Sequence, residues 1–422
     1  MSNLEVFMWG SRVGMVHTEN YYPYTLFEYD KSFQRSGIEL SPFFMKNNNE
    51  VYNFPFLNDE PFYHLPGLLA QSLPDNFGRT VLKNIFLSYN KRFENIDVGA
   101  LLSLIGREGS GAIEYVPSAN EDEIKENVDI SDITFLLSEI LKDSDNVSLL
   151  PTTSLSYKML FPLCARVQGD SPKANVYYNK ETKLFRCDSS SFDEGYKPYI
   201  IKFDNILDKA SLNDSTLVEY AYYKMALKSG INMSKSFIYS LNGKNHFMTK
   251  RFDRVKGKKV HMQSLCSLSH ISYKDFNSCS YEKASDIMHA MKLPYKDIEQ
   301  FYRRMVFNVL SVNEDDNVKN VSFLMDKKGK WTLSPCYDVT FNQFDNGRKM
   351  SISHKTSYIN RTDLLLAGKH MGIKSKDCKE IISEVGTVIN SFRSFASECG
   401  VGEYTISKIE KAMKEISSAI WF

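Results

Sequence analysis

The chain has 422 residues, of which 42% are hydrophobic, 24% charged and 13% aromatic. That is enough for two or three lobes with a sizeable core, and it excludes a disordered chain. The net charge of +1 gives no global reason for nucleic-acid or membrane binding, so any such contact has to be a local patch.

The start, Met1-Ser2-Asn3-Leu4-Glu5, lacks the basic and apolar segments of a signal peptide. No run reaches the roughly eighteen apolar residues of a membrane helix. Cysteines at 164, 187, 266, 279, 336, 378 and 399 form no C-x-x-C pair, which is the pattern of reduced thiols in a cytoplasmic protein. Residues 4–55 alternate apolar and polar character, and residues 6–16 read as a hairpin. Residues 62–105 are helical in pattern, with the clearest helix at 78–89 and a start signal at Pro74-Asp75-Asn76. Gly106-Arg107-Glu108-Gly109-Ser110-Gly111 has the look of a phosphate loop. It follows a helix rather than a strand, and no Lys-Ser/Thr pair closes it, so a tight turn before a strand over 112–116 is the better reading.

Residues 118–149 are acidic, with Glu121-Asp122-Glu123 and a short amphipathic segment at 133–141; they read as a connector. Strands return at 174–178, 199–203 and 236–239, around one helix at 217–229 that Gly230 stops. From about residue 260 the pattern is helical apart from one hairpin. The domain reading is 1–118, an N-terminal subdomain; 119–149, an acidic connector; 150–254, a β-rich lobe; and 255–422, a helical lobe. There is no internal repeat or low-complexity segment.

The most informative stretch is Asp315-Asp316-Asn317-Val318-Lys319-Asn320, with Tyr337-Asp338 following. Phosphoryl transfer in protein kinases uses this set: a catalytic Asp, an Asn five residues on that holds a metal, and a later Asp that chelates Mg²⁺. Asp-x-x-x-x-Asn alone is common by chance. Strands over 321–326 and 331–334, joined by a polar turn, would carry Asp338 back beside Asn320. The β-rich lobe would then supply a Lys for the phosphates. Lys202 lies in a strand, and Glu219 lies seventeen residues on in a helix, the types of residue that form the kinase Lys–Glu pair. A solvated surface lysine is the competing reading. The loop 168–173 has a single Gly but offers backbone N–H groups, with Lys173 adding charge. Lys250-Arg251-Phe252 sits at the lobe boundary, where adenine is held in a kinase; a basic surface turn running on to Lys259 is the competing reading.

These pieces occur in order in one family. The chain resembles the HipA family of bacterial serine/threonine kinase toxins, and the resemblance spans most of its length. It rests on Leu73-Pro74-Asp75-Asn76-Phe77-Gly78-Arg79, Ile105 to Ala112, Pro172-Lys173-Ala174, Ile200-Ile201-Lys202-Phe203, Lys250-Arg251-Phe252-Asp253-Arg254, the 315–320 motif and Ser334-Pro335-Cys336-Tyr337-Asp338. The resemblance implies an α+β, protein-kinase-like two-lobed fold with an added N-terminal α+β subdomain and a helical C-terminal lobe.

It also implies roles. Asp315 would be the catalytic base, and Asn320 and Asp338 would hold Mg²⁺. Gln168, Gly169, Asp170, Ser171, Pro172 and Lys173 would line the ATP phosphates with Lys202. Lys250, Arg251 and Phe252 would hold adenine through the backbone, and Asn317 and Lys319 would complete the nucleotide contacts. Asn317 stands where the family has His. The family also carries a regulatory Ser seven residues before the loop Lys, whose phosphorylation ejects the loop; here that position is Arg166.

Implied partners are a small helix-turn-helix antitoxin, with DNA reached only through it, and a protein substrate; family substrates include aminoacyl-tRNA synthetases. No membrane partner is implied. Competing functions are a catalytically degenerate co-repressor, against which the intact Asp315, Asn320, Asp338 and Lys202 count, and a lipid or small-molecule kinase, which a basic membrane-facing surface would favour.

Overall fold

A computed structural model describes residues 2–18, 25–89, 91–93, 96–119, 127–142, 160–187, 195–206 and 214–421. Glu121, Asp122 and Glu123 of the acidic connector lie outside the described residues. The chain divides into two compact units. The first comprises Met1–Lys209, Tyr239–Gln263 and Met325–Gly329, and the second Ala210–Ile238, Ser264–Leu324 and Lys330–Phe422. Among the described residues no helix is long and apolar enough to cross a membrane. All seven cysteines are free thiols.

The first unit opens with an antiparallel sheet of β1 (Ser2–Met8), β2 (Ser11–Thr18), β3 (Thr25–Tyr29), β4 (Val51–Tyr52) and β5 (Ile113–Val116), in the order β4-β3-β2-β1-β5. The β1–β2 hairpin falls where the alternation predicts it. Leu4, Val6, Met8, Val13 and Val16 are its buried set, and Trp9 and Gly10 both take positive φ in the turn, which suits the twist of a tight hairpin. The helices α1 (Lys31–Gln34), α2 (Gly67–Ala70), α3 (Asn76–Ser88) and α4 (Val98–Ile105) follow. Leu101, Leu102 and Ile105 give α4 an apolar side.

A second sheet contains β6 (Asn127–Val128), β7 (Lys173–Tyr178), β8 (Phe185–Arg186), β9 (Lys197–Lys202), β10 (Ser236–Leu241) and β11 (Lys244–Lys250), in the order β10-β11-β9-β7-β8-β6. The described part of the acidic connector is structured: β6 pairs with β8, and α5 (Ile130–Lys142) buries Ile133, Leu137 and Ile140. A single turn of π-helix, Phe161–Ala165, precedes the 168–173 loop. The sequence pattern carries no signal for it. Such turns recur at functional sites. Beyond β11 come the short strands β12 (Arg254–Val255) and β13 (Lys258–Lys259), paired antiparallel, and β14 (His261–Ser264).

The second unit is mainly helical: α6 (Ser215–Lys228), α7 (Leu265–Ser269), α8 (Tyr281–Ala290), α9 (Tyr295–Leu310), α10 (Arg361–His370), α11 (Ser375–Ile389), α12 (Phe392–Glu398) and α13 (Glu403–Trp421). The neighbouring strands β15 (Ser322–Met325) and β16 (Trp331–Leu333) form the expected hairpin. Buried aromatics hold the core. The Tyr222 ring meets Phe307 and Phe392 edge-on, each at 6.2 Å. Its hydroxyl donates to the Ser311 carbonyl at 2.5 Å, which satisfies the one polar atom that burying this ring brings with it. That bond also fixes the end of α9, and the next residues are the Asp-Asn motif.

Candidate active site

The chain leaves α9 through Val312, which sits at φ 55°. A β-branched residue is strained there, and the strain turns the chain out of the helix into residues 313–320. In that loop Asn317 Nδ2 donates to Asp315 Oδ1 at 3.0 Å, and the Lys319 N–H donates to Asn317 Oδ1 at 2.8 Å. Asn320 Nδ2 donates to the Asp315 carbonyl at 2.9 Å. The last bond commits the amide nitrogen of Asn320 to the loop itself and leaves its Oδ1, a hard oxygen of the kind Mg²⁺ takes. Asn317 orients the Asp315 carboxylate directly.

The hairpin β15–β16 returns the chain as expected. The Tyr337 hydroxyl donates to the Lys319 carbonyl at 2.7 Å and lies 2.6 Å from Ser322 Oγ. The neighbours of Asp338 and Asn320 are therefore in contact across the hairpin. Asp338 itself holds φ 56°, a second strained non-glycine position of the kind that clusters at functional sites. The Lys319 ammonium lies 4.4 Å from the Tyr273 ring centroid. Among the described residues no three His, Cys, Asp or Glu side chains gather as a metal site; the Asn320–Asp338 pair draws only one ligand from those four types.

In the first unit, Lys173 on β7 is the direct cross-strand partner of Lys202 on β9. Opposed residues of an antiparallel pair share a face, and like charges in that position destabilise a sheet. Both cations therefore stand on one side of the sheet. Lys173 is only 4% exposed. The loop before it curls over its side chain, with Gly169 beside the flexible end of Lys173, and the φ of 114° at Gly169 favours glycine there.

The signature Leu73 to Arg79 explains how that loop is held. The Gly169 N–H donates to Asp75 Oδ2 at 2.5 Å. Gln71 Nε2 donates to Gln168 Oε1 at 2.8 Å, and Gln168 Nε2 donates back to the Gln71 carbonyl. A Cβ on Gly78 would stand 2.8 Å from the Ala165 carbonyl, so α3 packs directly on the π-turn that leads into the loop. The sequence offered both motifs separately and no signal that they touch.

The basic segment 250–259 is only partly the solvated turn the sequence suggests. Lys256 and Lys258 are exposed, but Arg251 and Arg254 are buried. Arg251 Nε and Nη2 donate to the two oxygens of Asp253 at 2.9 and 2.7 Å. Arg254 donates to Asp253 Oδ2 at 2.9 Å and to the carbonyls of Gly111 and Gly109 at 2.7 Å each. The Gly111 N–H donates to Asp253 Oδ2 at 2.9 Å. Burial pushes the Asp253 carboxyl up, but Arg251, Arg254 and the Gly111 N–H outweigh it and hold it well below the usual carboxylate range. The turn at 106–111 is thus a receptacle for Asp253 and Arg254. The Arg251 N–H is taken by the Pro198 carbonyl at 3.0 Å and is not on offer to a base.

Arg166, at the position of the family's regulatory Ser, is buried. Its guanidinium lies 5.1 Å from the Phe161 ring centroid and donates to the Leu104 carbonyl at 3.3 Å. Burial pulls its pKa down, opposed by Glu108. Lys202 belongs to the first unit, and Glu219, buried on α6, to the second.

One compact unit carries the two opposed lysines and the other, mainly helical, carries the Asp-Asn loop and the returning Asp; comparison with known proteins gives the class to which such a chain belongs. A family model described as the HipA-like C-terminal domain matches residues 165–392, and one described as the HipA N-terminal domain matches residues 4–116. The chain belongs to the HipA family. Among solved structures, a complex of the Shewanella oneidensis MR-1 toxin-antitoxin system HipA, HipB and its operator DNA matches with a TM-score of 0.69 and 16% identity, over 98% of this chain and 95% of that one. The two share a fold. The Helicobacter pylori proinflammatory kinase CtkA matches with a TM-score of 0.32 and 14% identity, over 58% of this chain and 95% of that one, a likeness too slight to carry an argument. No curated protein matches the chain.

Proposed function

We propose that the chain is an ATP- and Mg²⁺-dependent serine/threonine protein kinase that acts as the cytoplasmic toxin of a toxin-antitoxin pair. The observation that carries this reading is the 313–320 loop, in which Asn317 orients Asp315 while Asn320 keeps an oxygen for a cation. Asp315 would accept the proton of the attacking hydroxyl. Asn320 and Asp338 would hold Mg²⁺, which supplies charge neutralisation at the phosphates. Lys173 and Lys202 would neutralise the remaining phosphate charge from one sheet face. The 168–173 loop would close over the phosphates, and Lys250 and Phe252 would hold adenine through the backbone. Asn317 and Lys319 would complete the pocket. Most of the rate would come from positioning.

A small helix-turn-helix antitoxin is the expected partner, in keeping with the Shewanella HipA, which was solved with HipB and operator DNA. DNA would be reached through that partner, and the substrate would be a cellular protein such as an aminoacyl-tRNA synthetase. The test is incubation of the purified chain and a cell lysate with γ-labelled Mg-ATP. Label on protein Ser or Thr in the wild type, and none with Asp315→Ala, is the expected result. Absence of transfer by a wild type that binds Mg-ATP would overturn the reading in favour of a degenerate co-repressor.

A further inference from the structure

Next to Asp315 stands a second carboxylate that the nucleotide reading does not use. Asp316 is buried, with a side chain 1% exposed, and it pairs with the equally buried Arg348 at 2.7 Å. The same Asp316 Oδ2 accepts from the Tyr281 hydroxyl of α8 at 2.7 Å, and its Oδ1 accepts from the Met350 N–H at 3.3 Å. The Tyr281 hydroxyl in turn accepts from Asn308 Nδ2 of α9 at 3.0 Å, and Asn308 Oδ1 accepts from Asn313 Nδ2 at 3.0 Å. The hydrogen-bonded path Asp316–Tyr281–Asn308–Asn313 therefore starts and ends in the same loop. Its two ends bracket Glu314 and Asp315.

A second set of bonds holds Glu314, the first of the bracketed residues. The Glu314 N–H donates to the Asn342 carbonyl at 2.9 Å, the Lys349 N–H to the Glu314 carbonyl at 3.0 Å, and the Phe344 N–H to Glu314 Oε2 at 2.7 Å. Asp315 stands on a two-residue span anchored at both ends, and segment 342–350 is laced to it. The charged and titratable groups facing Asp316 are Arg348 from that segment, Tyr281 from α8 and Asp315 from its own loop.

We propose that Asp316, through Arg348 and Tyr281, is the positioning residue that fixes where the Asp315 carboxylate stands. This rests on the kinase reading of the site. Burying an ion pair is a poor route to stability, but a pair held by three elements specifies one loop geometry, and small displacements of a reacting group are costly. Asp316 touches no reactant; it acts through the loop.

The test uses the full-length chain with Asp316→Asn and Tyr281→Phe. Tyr281→Phe keeps the ring and removes only the hydroxyl, so it guards against a variant that fails to fold. Two readouts are needed. In the first, phosphoryl transfer and Mg-ATP binding are measured together. Each variant is expected to lower kcat about ten- to a hundred-fold with nucleotide affinity within about two-fold of the wild type. In the second, hydrogen exchange is followed in folded protein without nucleotide. The amides of 313–320 and 342–350 are expected to lose protection while those of α9 and α11 keep theirs. Wild-type kcat in both variants would overturn the proposal, as would kcat and affinity falling together. If the wild type transfers no phosphate, the kinase reading fails. The exchange readout then decides whether Asp316 orders the loop, and unchanged protection in the loop overturns the proposal on its own.

Discussion

Asp315 and Asp316 are adjacent carboxylates that the fold puts to different uses. Asp315 is partly exposed and oriented by Asn317; replacing it with Ala is expected to lower transfer about 10²–10⁴-fold without unfolding the chain, as label incorporation and circular dichroism together would show. Asp316 is closed off, and burial above all pushes its carboxyl up to about 6, against the pull of Arg348, the Tyr281 hydroxyl and the Met350 N–H. A carboxyl raised above its unfolded value near 3.9 favours the folded state fully below that value. The contribution disappears as pH rises through about 6. Urea denaturation at pH 5 and pH 8 should therefore show the wild type losing ground against Asp316→Asn at the higher pH; a difference independent of pH would refute this. For Asp338, the expectation is that Asn in its place lowers the Mg²⁺ enhancement of ATP binding more than ATP binding itself, measured by calorimetry with and without the metal. A variant that keeps the full enhancement would remove Asp338 from the ligand set.

At the scale of elements, both N-terminal signatures serve segments far away in sequence. Asp75 and Gln71 tether the 168–173 loop, and the 106–111 turn receives Asp253 and Arg254. The two contacts predict different outcomes. Asp75→Ala removes a charge-assisted bond to the loop, worth about 1.5–3 kcal/mol, and should weaken Mg-ATP binding by roughly ten-fold or more as well as lower stability in urea denaturation by about the worth of that bond. Asp253→Asn leaves Arg251 and Arg254 buried without their nearest counter-charge, with only Glu108 4.0 Å from Arg254. It should cost about 3–5 kcal/mol in urea denaturation, and a loss within experimental error would mean that the network contributes little.

At the scale of the whole molecule, the proposed kinase function meets a departure from the family at Arg166. Where the family has a Ser that can be phosphorylated, this chain packs a guanidinium on Phe161 and ties it to Leu104. Arg166 belongs to the buried packing beside the π-turn. An arginine cannot be phosphorylated as that Ser is, so under the proposed kinase function restraint should fall to the antitoxin: expression alone should arrest growth, and co-expression with a small helix-turn-helix partner should relieve it. Phosphosite mapping after incubation with Mg-ATP should leave Ser171 unmodified. Stoichiometric phosphate there would show that the switch has moved within the loop.

The sequence by itself determined what depends on neighbours along the chain. The alternation in 6–16 and the Trp9-Gly10 turn specify the first hairpin, and Gly230 closes α6 after its last turn. The spacing of Asp315, Asn320 and Asp338, with a polar turn between two short apolar runs, already contained the hairpin that brings the last of these back. Those features follow from local propensity, periodicity and turn chemistry. Only the tertiary structure decided which distant segments meet. Lys173 and Lys202 stand twenty-nine positions apart in the chain, and strand register alone makes them cross-strand partners. The burial of Arg251 and Arg254, which turns an apparent surface run into an ion-pair core around Asp253, depends on the 106–111 turn arriving from another part of the chain. The same holds for Asp316: nothing local distinguishes it from Asp315, and only the packing of Tyr281 and Arg348 around it removes its water and gives it a different task.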